Sequence, residues 1–251
     1  MLGSEGYRIY PVHAGTLHWA ATALAAGRRI AADPEVRRRN LRHGETWFVG
    51  VDALPTGTEG DIQGVPLDGP FHADLPPLRS WPLAQLSIVY PGYPGRDPGE
   101  SDGGYIYRLT RAAAHVDGLL RVGAEGRRYP LELHGFILGL PLTEVRQAPT
   151  LCWPGSHRII GDALVEAVGD QRPEDVDVTD AYVAARRQVL DRIRPVPLVP
   201  PPGGSFLLHR FTLHGTGPWE DDRAEAPDGR MTAFFRPEVA TAAQWLRPDW
   251  S

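Results

Sequence analysis

The segment Ala114-His115-Val116-Asp117-Gly118 sets an imidazole and a carboxylate two residues apart in an otherwise apolar run. In an extended chain, residues two apart project from the same face, so both side chains can converge on one ion. Unpaired, they would be costly in apolar surroundings, and a bound metal removes that cost. His-x-Asp alone is a weak signal, and a buried ion pair before the turn at Gly118 is its plainer reading. Further along, the run FLLHRFTLHGTGP (206–218) adds His209 and His214. Two histidines and one carboxylate make the facial triad that binds iron(II) and leaves coordination sites open. Their offset of five puts His209 and His214 on opposite faces of a continuous strand. We therefore read His214 as the ligand and His209 as structural.

Arg230 lies sixteen residues after His214, in DGRMTAFFRP. A 2-oxo diacid chelating a metal leaves its far carboxylate pointing into the barrel, where a guanidinium can hold it bidentately. Strand alternation puts Arg230, Thr232, Phe234 and Arg236 on one face and Met231, Ala233 and Phe235 on the other.

The order His-x-Asp, Pro-Gly-Ser-His, distal histidine, arginine resembles the phytanoyl-CoA dioxygenase-like family of iron(II)/2-oxoglutarate oxygenases. The matching pieces are AHVDG (114–118), APTLCWPGSHR (148–158), FLLHRFTLHGTGP (206–218) and RMTAFF (230–235), and the resemblance covers 84–237. It implies iron(II) held by His115, Asp117 and His214, and 2-oxoglutarate held by Arg230 and the Thr216 hydroxyl. The implied reaction consumes O2, releases succinate and CO2, and hydroxylates a C–H bond; desaturation, epoxidation and ring closure are variants. The stretch between His214 and Arg230 is longer than the family's and rich in Asp and Glu, so Arg236 is held in reserve for the co-substrate. Asp117 speaks against a halogenating variant, which needs that position vacant. Two rivals stay open: a cupin-type metalloenzyme that works without 2-oxoglutarate, and a non-catalytic jelly-roll binding module.

Composition excludes several other chemistries. All 26 basic residues among the 251 are arginine, so neither a Schiff-base lysine nor a Walker-type phosphate lysine exists. Cys152 is the only cysteine, which rules out an internal disulfide and a cysteine-ligated cluster. The formal net charge of −5 gives no basic footprint for nucleic acid or anionic membrane. No signal peptide is visible and no apolar run is long enough to span a bilayer. The expectation is a cytoplasmic monomer or homodimer acting on a small molecule.

Short strands on both sides of one helical insertion, behind an N-terminal helical segment, suit a mainly β fold with flanking helices, a double-stranded β-helix of the jelly-roll or cupin type, to position these residues. We expect one domain over 1–251, with a helical and loop region at 1–83, the β core at 84–237, a helical insertion at 161–194 and a tail at 238–251. Helical spacing runs from His13 to Asn40 with a break at Pro34. Strands are expected at Thr46–Asp52, Ala84–Tyr90, Tyr105–Thr110, Ala114–Leu120, Tyr129–Leu142, Thr150–Trp153, Ser205–Leu208 and Met231–Phe235, a loop at Pro55–Pro82 and a short helix at Thr241–Leu246. Pro91–Gly104, rich in Pro and Gly and without an apolar anchor, reads as a lid over the metal mouth, with a plain solvated loop as the alternative. Arg108 and Arg111 pair at the surface or bind an anionic substrate, and Tyr105 and Tyr107 share a strand face. His157 and His134 read as structural, His13, His18, His43 and His72 as surface or packing residues, Cys152 as a small buried group, and Arg37 to Arg39 with Arg42 as a solvated helix face.

Overall fold

The computed structural model describes residues 2–247 except 77, 79, 222–225 and 227. Strand β1 (Tyr7–Tyr10) precedes helix α1 (Ala14–Ala32). Pro34, which cannot donate to a preceding turn, starts a new helix, α2 (Pro34–Asn40). The Asp33 carboxylate caps it by accepting from the Glu35 and Val36 amides at 2.9 and 3.1 Å. Strands β2 (Leu41–Arg42), β3 (Trp47–Leu54) and β4 (Ala84–Val89) follow.

Helix α3 (Asp102–Arg111) leads to strands β5 (Leu119–Val122), β6 (Arg127–Pro130), β7 (Phe136–Pro141) and β8 (Thr150–Cys152). Helices α4 (Ser156–Val168) and α5 (Thr179–Arg192) form the insertion. Strands β9 (Val196–Leu198), β10 (Ser205–His209), β11 (His214–Thr216) and β12 (Arg230–Phe235) and helix α6 (Ala242–Trp245) complete the order.

Seven strands make one antiparallel sheet in the order β1-β10-β7-β12-β4-β3-β2, and β11-β8-β9 make a second sheet facing it. This is a mainly β fold with flanking helices, the double-stranded β-helix expected. Alternation divides the large sheet's side chains between two surroundings. Leu86, Ile88, Leu138, Leu140, Met231, Ala233 and Phe235 face outward onto the buried stripe of α1, with Trp19, Ala20, Ala23 and Ala26. Trp19 is fully buried and donates to the Gly60 carbonyl at 2.9 Å, tying α1 to the following loop. Its truncation to alanine should cost about 3–5 kcal/mol. The inner face carries Ile137, Phe206 and Leu208, which pack on Cys152 and Leu198 of the small sheet. Gly139 makes this possible, since a side chain there would collide with the Phe206 ring. A second apolar cluster joins α4 and α5 to Trp153, Phe211, Leu213 and Trp245. Among the described residues no helix is long and apolar enough to cross a membrane.

Five sequence expectations change. Tyr105–Thr110 is not a strand but the body of α3, whose N-terminus is capped by Ser101 accepting from the Gly104 amide at 3.2 Å. Tyr105 and Tyr107 therefore share no strand face. The strand expected over Ala114–Leu120 is a single bridge at His115, because Gly118 turns the chain at φ +82 and β5 starts only at Leu119. Tyr129–Leu142 splits into β6 and β7. The large sheet also recruits β1, β2 and β3 from before residue 84. Finally, Pro91–Gly104 does have an anchor: Tyr93 is buried with Val89, Ala148 and Trp219.

Candidate metal centre

His115 and His214 exchange backbone hydrogen bonds of 2.8 and 3.0 Å, which sets their rings side by side at 4.6 Å between centroids. Gly215 permits this approach, because a side chain there would strike the Ala112 carbonyl. Each ring makes the same backbone contact, with Nδ1 2.9 Å from the carbonyl two residues earlier: Ala113 for His115 and Thr212 for His214. A carbonyl only accepts, so Nδ1 carries a proton, and Nε2 is left to donate to a carboxylate when the ring is charged or to present its lone pair to a metal when the ring is neutral. Both Nε2 atoms turn to Asp117, at 3.2 Å from Oδ1 for His115 and 3.7 Å from Oδ2 for His214. The three residues offer ligand atoms that all lie within 4.8 Å of one another.

Burial alone would raise the Asp117 carboxyl. Hydrogen bonds and charge from His115 and His214 outweigh it and hold the group well below the usual carboxylate range. Burial likewise disfavours a charged His115, but Asp117 overrides this and raises its pKa. Asp117 has a further partner that sequence reasoning did not pair with it: Arg236 Nη1 donates to Oδ2 at 3.3 Å. The other arm of Arg236 donates to the Gln85 side-chain oxygen, and His134 donates Nδ1–H to the Arg236 carbonyl at 3.1 Å.

Arg230 lies toward the other end of the same strand face. It is 7% exposed, and its Nη1 donates to Thr232 at 3.1 Å and Thr150 at 3.3 Å. Its Nε has no hydrogen-bond partner, and no carboxylate pairs with it among the described residues. Burial lowers its pKa from the ordinary guanidinium value to about 10. Thr216 sits opposite Thr150 in the β11–β8 register, two residues past His214. The Tyr93 hydroxyl, pushed up to about 12 by burial, lies near enough to Arg230 and Arg108 to feel their charge.

Two cavities open along the inner face of β12. A smaller one of about 210 Å³ is lined by Arg230, Thr232 and Phe206. A larger one of about 500 Å³ is lined by Phe234, Arg236, Gln85 and His134.

The remaining expected residues fall outside this centre. His209 is buried against the His157 and Phe211 rings, and its Nδ1 accepts from the Phe211 amide at 3.1 Å. Arg108 is buried in an ion pair with Glu100 and donates to the Gly95 carbonyl at 3.0 Å, so it does not stand ready for an anionic substrate. Arg111 donates to the Leu190 carbonyl at 3.2 Å. Of the two roles expected for His43 the packing one holds: it is half-buried, stacked on Trp47 at 5.5 Å and beside Asp97. His43, Asp97 and Glu100 form a second acidic group, but Glu100 is committed to Arg108. Part of the acidic stretch before Arg230, 222–225 and 227, lies outside the described residues.

Gln85, Tyr93 and Thr150 were not singled out from sequence. Gln85 had a signal, because Gln85 and Ser87 alternate with Leu86 and Ile88 in a strand that is otherwise apolar.

No family model matches the sequence, and no curated protein matches it. Solved structures do match. HygX from Streptomyces hygroscopicus, solved with nickel, 2-oxoglutarate and hygromycin B, is 12% identical, with 95% of this chain and 85% of that chain covered and a TM-score of 0.47. EctD from S. alaskensis, solved with 2-oxoglutarate and 5-hydroxyectoine, is 16% identical over 95% and 74%, at 0.45. SnoK, a non-heme alpha ketoglutarate dependent carbocyclase from nogalamycin biosynthesis, is 13% identical over 94% of this chain and 81% of that one, with a TM-score of 0.50. That last likeness, end to end at so low an identity, is a likeness of fold.

Proposed function

We propose that this chain is an iron(II)/2-oxoglutarate-dependent oxygenase that oxidises a C–H bond of a small metabolite, with hydroxylation as the outcome. The observation that carries this reading is the convergence of His115 Nε2, His214 Nε2 and the Asp117 carboxylate, with both Nδ1 atoms tied to backbone carbonyls. Two neutral imidazoles and one carboxylate suit a divalent iron, and the carbonyl contacts orient the ligands as metal-binding histidines require.

The co-substrate's place is supported by Arg230, a buried cation with no carboxylate paired to it among the described residues. A dicarboxylate's far end would supply that missing charge, with the Thr150 and Thr232 hydroxyls beside it. Arg236 would fill a different role: its donation to Asp117 Oδ2, the oxygen that also faces His214, fixes the carboxylate rotamer and leaves Oδ1 toward His115. The bound group supplies oxidation of an unactivated C–H bond, with succinate and CO2 as co-products. The chain's own residues bind, orient and exclude water. Apolar Phe206 and Phe234, with ring centroids 6.1 Å apart, wall the space between the two cavities. Membership of the phytanoyl-CoA dioxygenase-like branch belongs to this proposal as well.

The test is anaerobic loading followed by a co-substrate assay. One iron per chain and succinate release that depends on 2-oxoglutarate are expected. A chain that takes up iron but never consumes 2-oxoglutarate, with or without a metabolite panel, overturns the reading in favour of a metalloenzyme without this co-substrate.

A further inference from the structure

The larger cavity joins the candidate metal centre through Arg236, which lines it while donating to Asp117. Its volume of about 500 Å³ falls in the range of small-molecule sites. Four charged side chains and two buried polar ones line it: Asp52, Glu132, Glu238, Arg236, Gln85 and His134.

The charges do not balance internally. Arg236 faces Asp117, and the Glu132 carboxylate is taken by His134 Nε2 at 3.1 Å. Asp52 and Glu238 remain, both exposed, with no ion-pair or hydrogen-bond partner among the described residues. Asp52 sits at φ +53, inside the register shift between Gly50 and Leu54 where β3 bulges away from β4. Bulges re-aim side chains, and aspartate is one of the few residues that tolerate this backbone region.

A second, independent feature points to a ligand. Gln85 is 9% exposed and lines the cavity; its oxygen is used by Arg236, while its amide nitrogen has no partner among the described residues. That nitrogen is open to the cavity, where it can donate to a hydroxyl or carbonyl oxygen of an occupant.

We propose that the substrate of this site is an amine-bearing, hydroxyl-rich small molecule, its ammonium held at the rim by Asp52 and Glu238 and an oxygen held by the Gln85 amide. The body of the molecule passes Phe234 toward Asp117, where the carbon to be oxidised comes to rest. The same charges repel anionic substrates, so a phosphate-bearing acyl thioester is disfavoured. This inference rests on the oxygenase reading for the position of the reacting carbon, but not for the binding preference.

The test uses the whole chain loaded with nickel(II) and 2-oxoglutarate, so binding is read without turnover. Isothermal titration compares three disaccharides of one size: the glucosamine disaccharide with two free amines, its N,N′-diacetyl form, and cellobionate. The diamine should bind at least tenfold tighter than the diacetyl form, and cellobionate most weakly. Asp52→Asn and Glu238→Gln keep shape and, at position 52, tolerance of the backbone angle. Each should lower the diamine preference by roughly two- to fivefold, the range of exposed charge pairs, and raising salt to 0.5 M should do the same. Equal affinities for the three sugars, no detectable binding of the diamine, or a preference that survives both substitutions overturns the proposal. If nickel and 2-oxoglutarate bind but the preference is absent, this inference fails and the oxygenase reading stands. If neither binds, that reading fails, and titration of the metal-free chain still reports the preference.

Discussion

Arg230→Met separates what this arginine does for the fold from what it does for a ligand. Methionine approximates the aliphatic stem and removes the charge. Burial lowers the guanidinium from its ordinary value to about 10, which at about 1.4 kcal/mol per pH unit is roughly 3 kcal/mol against the charged form. The folded value still lies above 7, so the group stays charged at neutral pH and the fold carries that cost. The unfolded chain holds the proton more tightly, so this contribution becomes less unfavourable only as pH rises above about 10. Against the gain stand two lost hydrogen bonds, to Thr150 and Thr232, worth about 0.5–1.5 kcal/mol each.

The ligand-free variant should therefore be as stable as the parent, or about 1 kcal/mol more stable. With 2-oxoglutarate the order reverses. At a hundredfold excess over Kd the ligand should stabilise the parent by about 2.7 kcal/mol and the variant by almost nothing. Urea denaturation of nickel-loaded protein at pH 7, followed by tryptophan fluorescence with and without 2-oxoglutarate, reads both effects. A ligand-free variant destabilised by more than about 2 kcal/mol, yet with the full response to 2-oxoglutarate, would refute the reasoning: the charge would then be satisfied within the fold and the co-substrate held elsewhere.

Asp117→Ala should lose iron on desalting and with it all turnover, because the hard anionic ligand is gone; full iron occupancy by metal analysis would remove Asp117 from the centre. Arg236→Ala should weaken iron retention while shifting the 2-oxoglutarate KM less than Arg230→Ala does, and the opposite ranking transfers the co-substrate role to Arg236. Burial, helped by the charge of Arg158, lowers the His157 pKa below 6.5, so the folded state favours the neutral ring. Stability from this group is fully present above about pH 6.5 and is lost as pH falls below it, by at most about 1.4 kcal/mol per pH unit. His157→Gln should flatten the fall in urea midpoint between pH 7 and 5, and an unchanged slope would assign it to other groups.

The candidate centre was legible because its signals are short-range. His115 and Asp117 announce themselves by type and spacing, and Arg230 by its place in an alternating strand that the structure reproduces. The geometry that unites them is different in detail. His115 and Asp117 do not share a regular strand; one bridge to His214 and the turn at Gly118 aim them. What stayed hidden depends on partners far away in sequence. Tyr105-Ile106-Tyr107 has the period of a strand, yet Ser101 caps it as a helix whose Arg108 pairs back to Glu100. β1 spans four residues, and nothing local says that it pairs with β10. Tyr93 looked like part of an unanchored loop until Val89, Ala148 and Trp219 closed around it.

The pairing of β1 with β10 has a bearing on how the molecule comes into being. Tyr10 lies opposite Ser205 in that register, and β4 must wait for β12 in the same way. His115 and Asp117 likewise meet His214 only after the insertion carried by α4 and α5 has been made. During synthesis the ribosome therefore extrudes most of the chain before the sheet can close, and contacts of such long range form slowly. Until then strands such as Ala84–Val89, buried throughout in the finished fold, are open to chaperones and to one another. A nascent chain of this kind has only part of the candidate metal centre, so on the proposed reading metal is taken up late in maturation.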